Sequence, residues 1–149
     1  MSITRVHHHT FTVSDMDRSI RFYRYLLGFE LAYDKVRENL PAYDRVMDLE
    51  DVKVRVALLN DPTHEAVVAL LQFHHPEPTA RPMSNLFVGS TALAVQCDDI
   101  DADYQRLRSL GMEFTSEPVD IVRDGKLAAR LAYGFDPDRI VIELYQPVS

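Results

Sequence analysis

The sequence has few of the features that mark secreted or membrane-embedded proteins. It contains a single cysteine, Cys97, which excludes an internal disulfide and is typical of a reducing compartment. No apolar run approaches the roughly 20 residues that a membrane-spanning helix requires. Residues 1–11 lack the apolar core of a signal peptide. We therefore expect a cytoplasmic protein with no membrane partner, and we expect Cys97, which lies in an apolar run, to be buried and inert.

The sequence also lacks tryptophan and any excess of positive charge. Its 16 lysines and arginines stand against 23 aspartates and glutamates, which gives a net charge of -7. Nucleic-acid-binding proteins usually present a basic face, so this balance argues against a nucleic-acid partner. The missing tryptophan weakens a ligand site built on aromatic stacking, although seven phenylalanines and seven tyrosines remain.

The first half of the chain predicts a strand, a helix and three further strands. Residues 6–13 are rich in β-branched and aromatic residues and alternate as a strand does. Ser14 or Asp15 can cap the following helix, and Gly28 is a natural end for it. Further strands are predicted over 29–34, 52–59 and 66–73, with a polar loop over 35–44 and a turn over 60–65.

The second half repeats this order after a segment rich in proline, which predicts a linker over 76–88. A strand over 90–97 precedes a helix that begins at Asp98 or Asp99 and ends at Gly111. The remaining strands are predicted over 112–116, 119–122, 128–135 and 140–146, with a turn at 124–125.

Two constant shifts relate the halves. A shift of 84 residues places the acidic stretch 14–17 on 98–101, and a shift of 74 places VVALLQ (67–72) on VIELYQ (141–146). Because element order, helix starts and strand sequences agree, we interpret the chain as a tandem repeat. The sequence predicts one α+β domain over 1–149, built of two βαβββ modules over 1–75 and 89–149 with the linker over 76–88 between them.

Several short motifs occur in a fixed order along nearly the whole chain. They are His8 with TVSD (12–15), RSIRFY (18–23), LGF (27–29), DDID (98–101), DPD (136–138) and IEL (142–144). This set resembles the vicinal oxygen chelate superfamily, which includes glyoxalase I, extradiol dioxygenases, methylmalonyl-CoA epimerase and the bleomycin-resistance proteins. The resemblance implies a cupped mixed β-sheet around a cavity, a small-molecule ligand or substrate, and a homodimer.

The resemblance also implies up to four metal-ligating positions inside the cavity. Here they hold His8, Ala69, Ala92 and Glu143, and the two repeat shifts relate the same positions in pairs. Imidazole and carboxylate suit Fe, Mn, Ni, Co or Zn. A catalytic metal usually has three protein ligands, so the two alanines predict an incomplete or absent metal site. A longer strand or a one-residue change of alignment would add His75, Thr91 or Gln72.

Two functions follow from this pattern. The first is an enzyme in which His8 and Glu143 act as general base and acid on a small oxygenated substrate, with isomerase, epimerase or lyase chemistry. The second is a metal-free, drug-sequestering protein of the bleomycin-resistance type, whose cavity the alanines would open. An extradiol-type dioxygenase is a further alternative, but it needs a second histidine at Ala92. Retention of both His8 and Glu143 favours the enzyme, since a sequestering protein needs neither.

Other polar residues carry weaker interpretations. Tyr43, Arg45 and Arg130 either line the cavity or bind an anion, or they lie on solvated loop and strand faces. The acidic residues at the helix starts are interpreted as caps and first-turn acids rather than catalysts. These are Asp15, Asp17, Asp98 and Asp101.

Overall fold

The computed structural model describes residues 2–65, 67–81 and 84–148 of the chain. The strand predicted over 66–73 therefore begins outside the described residues, and positions 82 and 83 of the predicted linker also lie outside them. Within the described ranges, no helix is both long enough and apolar enough to cross a membrane.

Residues 1–81 form the first of two compact units. Its elements are β1 (His9–Thr12), α1 (Met16–Arg21), a π-helical turn (Phe22–Leu26), β2 (Glu30–Arg37), α2 (Pro41–Met47), β3 (Lys53–Asn60) and β4 (Val67–His75). The strands form one mixed sheet in the order β1-β4-β3-β2. β1 runs parallel to β4, and the other pairs are antiparallel.

Residues 82–149 form the second unit, and the boundary between the units lies within the segment predicted as a linker. Its elements are β5 (Ala92–Gln96), α3 (Ile100–Ser109), β6 (Val119–Arg123), β7 (Lys126–Phe135) and β8 (Val141–Pro147). The sheet order β5-β8-β7-β6, with β5 parallel to β8, repeats that of the first unit. The predicted α+β fold of two βαβββ modules is therefore confirmed, with a four-stranded mixed sheet in each unit.

Aspartates begin the helix of each module, as predicted. The Asp15 carboxylate accepts from the Arg18 backbone N–H at 3.0 Å, and Asp99 accepts from the Ala102 N–H at 3.0 Å. Each side chain thus satisfies a donor that the first turn of a helix leaves unpaired. The cap of α3 is Asp99, so the interpretation of Asp98 as a cap is wrong.

A glutamine on the last strand completes each helix start. The Gln72 side-chain oxygen accepts from the Met16 N–H at 2.9 Å, and the Gln146 oxygen accepts from the Ile100 N–H at 3.0 Å. These contacts explain why the repeated strand sequences VVALLQ and VIELYQ both end in glutamine. They also fix which face of each sheet the helix covers.

We call the face of each sheet that carries this glutamine the helix face, and the opposite face the far face. Successive side chains of a strand point to opposite faces, so every residue of β4 and β8 can be assigned to one of them. The helix faces hold much of the core. Their buried apolar side chains include Phe11, Leu59, Val68, Leu70, Ile142 and Leu144.

An arginine joins three elements on the helix face of the first unit. Arg55 of β3 donates to both carboxylate oxygens of Asp34 on β2, at 2.8 and 2.7 Å. The same guanidinium lies 2.9 Å from the Asp17 carboxylate in the first turn of α1. Asp17 is therefore a first-turn acid with a structural partner, as the sequence predicted.

Two sequence-based predictions of secondary structure are wrong. The loop over 35–44 is replaced by the end of β2 and by the start of α2 at Pro41. Proline suits the first helical position because that position needs no N–H donor and its φ is preset. The strand over 112–116 is reduced to one bridge between Phe114 and Gly134. This segment packs its side chains across β7, since a Cβ at Gly134 would lie 2.5 Å from Met112 Cε.

Candidate functional site

Glu143 lies on the far face of the second sheet, near the middle of β8. It lies three positions before Gln146, whose side chain caps α3 on the helix face. Alternation along the strand therefore directs the Glu143 side chain away from the helix. The residue is half-buried.

The neighbours of Glu143 in the sheet are Tyr133 on β7 and Ala94 on β5. Residues directly opposite each other on antiparallel strands share a face, with Cβ atoms about 5 Å apart. A phenol and a carboxylate thus stand side by side on this far face. Tyr133 was not predicted as a site residue, because only the register of β7 against β8 reveals the pairing.

Ala92 lies on the same far face as Glu143, one position along the sheet. It precedes Ala94 by two residues on β5, and its partner in the register is Val141 of β8. The second module therefore brings together both positions that the resemblance assigned to it. Ala92 is exposed.

Ala69 occupies the corresponding position in the first sheet. Its register partners are Thr10 of β1 and Leu58 of β3, and Tyr33 of β2 lies beyond Leu58. Ala69 is 4% exposed, while Thr10 at the edge of the sheet is exposed. The far face of the first module thus offers hydroxyl groups at this position but no carboxylate or imidazole.

His8 lies one residue before β1, so the prediction that it stands within the first strand is wrong. It is exposed, and its Nδ1 lies 2.8 Å from Nδ1 of His7, with the two rings edge to face at 5.1 Å. His9 begins the strand and packs its ring against Phe11 at 4.7 Å. His8 belongs to the first unit and Glu143 to the second, and their joint action stays a prediction.

The residues at the four family positions do not fit a closed metal site. They supply one imidazole and one carboxylate, and a catalytic metal usually has three protein ligands. The register neighbours add a phenol, a hydroxyl and apolar groups, none of which is a usual ligand for Fe, Mn, Ni, Co or Zn. In residues 2–65, 67–81 and 84–148, no group of three or more His, Cys, Asp or Glu side chains is placed to hold a metal ion.

Arg130 lies on the helix face rather than on the far face. Its guanidinium donates to Asp101 in the first turn of α3 and, at 3.0 Å, to Asp120 on β6. The hydrogen bond from Arg130 lowers the pKa of the Asp101 carboxyl. The alternative that Arg130 lines a ligand site is therefore wrong. Tyr43 and Arg45, the other two candidates, lie on α2.

Cys97 follows β5 and is half-buried rather than fully buried. Its Sγ lies 3.7 Å from the carbonyl oxygen of Tyr145. Burial, together with the nearby acids Asp103, Asp98 and Asp99, raises the pKa of the thiol to about 11. A thiol in this state is a poor nucleophile at neutral pH, which agrees with the prediction of an inert cysteine.

The family follows from the sequence as a whole. Residues 5–144 match the family model described as the Glyoxalase/Bleomycin resistance protein/Dioxygenase superfamily. The chain belongs to this superfamily. The resemblance drawn from its motifs is thereby confirmed.

Similar proteins extend over almost the full length of this glyoxalase-superfamily chain. A 2-epi-5-epi-valiolone epimerase from Actinomyces sp is 28% identical over 144 residues, which cover 93% of this chain and 77% of that protein. A glyoxalase family protein from Bacillus cereus has a TM-score of 0.86 at 23% identity, over 100% and 97% of the two chains. TnmS3, an antibiotic binding protein from Streptomyces sp. CB03234, has a TM-score of 0.66 at 24% identity, over 99% of each chain.

Proposed function

We propose that this glyoxalase-superfamily chain is an enzyme that moves a proton on a small oxygenated organic substrate, with isomerase, epimerase or lyase outcome. The observation that carries the proposal is the half-buried Glu143 on the far face, beside Tyr133 in the register. The similarity to an epimerase, which covers 93% of the chain, supports the same class of reaction.

The chemistry of these side chains suits proton transfer next to a carbonyl. A half-buried carboxylate can take the proton from the carbon atom next to the carbonyl group. The negative charge then moves to the carbonyl oxygen, which a neighbouring phenol stabilises by donating a hydrogen bond. Glu143 is the proton-transfer group in this proposal, and Tyr133 is the donor to the oxygen.

This proposal routes no step through a metal ion. The superfamily positions hold Ala69 and Ala92 where a complete site would have donors, and an alanine side chain has no donor atom. The dioxygenase alternative is weakened for the same reason, because Ala92 replaces its second histidine. Binding of Fe, Mn, Ni, Co or Zn by His8 and Glu143 alone would be weak, and elemental analysis of the tag-free protein measures it.

A second candidate function is metal-free binding of an organic ligand without turnover. Ala92 favours it, because an exposed methyl group stands at a position where the resemblance implies a metal ligand. The antibiotic-binding neighbour TnmS3 has the same fold. The two candidates differ in one respect: only the enzyme requires the carboxylate of Glu143.

Solvent deuterium exchange separates the two candidates. The protein is incubated in D₂O with a panel of α-hydroxy ketones, including cyclic polyol ketones, and loss of the α-proton is followed by NMR. We expect exchange with at least one compound, and a loss of about 100-fold or more in Glu143→Gln, in the range typical of a removed general base. Glu117→Gln, which changes an exposed carboxylate in the same unit, is the matched control.

The exchange rate also tests the role of Tyr133. Tyr133→Phe keeps the ring and removes only the hydroxyl, so we expect a smaller loss of about tenfold to 100-fold, as for one weakened hydrogen bond to a developing oxyanion. Equal rates in the wild type and in Glu143→Gln would refute the enzyme. Tight binding of a compound without any exchange would favour the ligand-binding candidate.

A further inference from the structure

The far face of the first sheet carries a row of polar side chains along β2. Asp34 belongs to the helix face, because it pairs with Arg55, which also contacts the first turn of α1. Alternation then places its neighbours Tyr33 and Lys35 on the far face. Arg37 follows Lys35 by two residues and shares that face. This row defines what we call the β2 edge: Tyr33, Lys35 and Arg37.

The middle of the same far face is apolar. The register aligns Tyr33 with Leu58 and Ala69, and it aligns Lys35 with Val56 and Leu71. The β1 edge on the other side carries two exposed hydroxyl residues, at positions 10 and 12. Adjacent strands lie about 4.8 Å apart, so the two polar edges are about 14 Å from each other across three strand spacings. This layout suits a small amphiphilic molecule with one charged end.

The cations of the β2 edge are not neutralised by any of the residues that the structure describes. In the part of the chain that the structure describes, neither Lys35 nor Arg37 forms an ion pair, whereas Arg55 on the helix face of the same sheet contacts two carboxylates. The Arg37 guanidinium instead lies over the Tyr33 ring, with Cζ 5.3 Å from the ring centroid. Stacking on an aromatic ring holds a guanidinium in place and leaves its N–H edge available to an acceptor.

The spacing of the two cations matches a single anionic group. Residues two apart on a strand are separated by about 6.6 Å, and both side chains are long enough to converge on one carboxylate or phosphoryl group. Arginine binds such a group through two parallel hydrogen bonds, and lysine adds a point charge. Two unneutralised cations on one face are notable in a chain whose net charge is -7.

We propose that the β2 edge binds the anionic group of a small organic molecule, a carboxylate, phosphate or phosphonate, through Lys35 and Arg37. The apolar part of that molecule lies over Val56 and Leu58, and the Tyr33 hydroxyl contacts an uncharged oxygen. This inference goes beyond the proposed function and rests on residues of the first unit alone. It names small amphiphilic organic anions as the class of ligand for this edge.

Calorimetric titration of the full chain with unreactive probes tests the proposal. The probes are pentylphosphonate and pentanoate, with 1-pentanol as the uncharged counterpart. We expect at least one anion to bind tenfold or more tightly than the alcohol, and its affinity to fall as NaCl is raised, because exposed charges are screened. The ratio of the two anion affinities shows which anion the edge prefers.

A matched pair of double variants locates the binding. Lys35→Met with Arg37→Met is expected to weaken the anion at least tenfold. The control, Lys126→Met with Arg123→Met, removes the same charge from two exposed residues of the second unit and should leave the affinity within twofold. Far-UV circular dichroism confirms that both variants fold. Equal weakening in both variants, or equal affinity for pentanol and the anions, would overturn the proposal.

The outcome is distinguishable from failure of the proposed function. The probes carry no exchangeable α-proton of the kind that Glu143 is proposed to remove, so their binding does not depend on catalysis. Glu143→Gln should therefore bind the preferred anion as the wild type does. Anion binding without deuterium exchange in any compound would reject the enzyme and retain the anion site. Deuterium exchange in the wild type without tighter binding of either anion than of the alcohol would reject the anion site and retain the enzyme.

Discussion

Replacement of Ser19 by alanine, which removes a buried hydroxyl, is expected to stabilise the protein. Ser19 lies in α1 with 0% exposure, and its Oγ has no hydrogen-bond partner among the described residues. A buried hydroxyl without a partner is destabilising by about 1–3 kcal/mol. Alanine also exceeds serine in helix propensity, by up to about 0.7 kcal/mol. Because a few dispersion contacts of the oxygen are lost, we expect Ser19→Ala to raise the free energy of unfolding by about 1–2 kcal/mol.

Urea denaturation followed by circular dichroism measures this change. Ser109→Ala is the matched control, because Ser109 is exposed at the end of α3 and its Oγ donates to the Arg106 carbonyl at 2.6 Å. The control should gain only the propensity difference, about 0.5 kcal/mol, or less. A Ser19→Ala variant that is as stable as the wild type, or less stable, would refute the reasoning and show that the hydroxyl is satisfied by water.

Three further predictions concern groups that the structure resolves. Gln146→Ala leaves the Ile100 N–H without its acceptor, so we expect about 1 kcal/mol lower stability in urea, and an unchanged midpoint would contradict the role of this cap. The Arg55 hydrogen bonds lower the pKa of Asp34, so the stability they add is present above the unfolded pKa of about 3.9 and is lost as pH falls through the lower folded value. The free energy of unfolding of the wild type should thus exceed that of Arg55→Met by about 1 kcal/mol at pH 6 and by less at pH 2–3. A difference that does not change with pH would argue against a stabilising Arg55–Asp34 pair. With its pKa raised to about 11, Cys97 should react with iodoacetamide at pH 8 at least tenfold more slowly than free cysteine, and equal rates would show an exposed thiolate. The expected homodimer is tested separately by sedimentation equilibrium.

The repeat and the helix boundaries were predictable because their signals are local. Asp15 and Asp99 precede apolar helical stripes, and a carboxylate at that position caps a helix whatever surrounds it. The strand sequences ending in Gln72 and Gln146 could be matched by eye, although their role as acceptors for the next helix could not. α2 was missed because the sequence around Pro41 is polar, and proline signals either a turn or a first helical position.

The far-face groups were harder to predict, because they depend on strand register. Glu143 was found through the repeat, in which a shift of 74 residues relates it to Ala69. Tyr133 lies ten residues away in sequence and carries no motif, so only the pairing of β7 with β8 makes it a neighbour. Lys35 and Arg37 fall in a segment predicted as a loop. Their common face follows from the extension of β2 to Arg37.

By itself, the sequence determined the two-module α+β fold, the superfamily and the acidic helix starts. Those features depend on periodicity, capping and shared motifs, which act over a few residues or are written twice in the chain. Only the tertiary structure decided that His8 lies before β1, that Arg130 is committed to two aspartates, and which side chains stand beside Glu143. These outcomes depend on register and on which face a helix covers, and a shift of one residue would move every side chain of a strand to the other face.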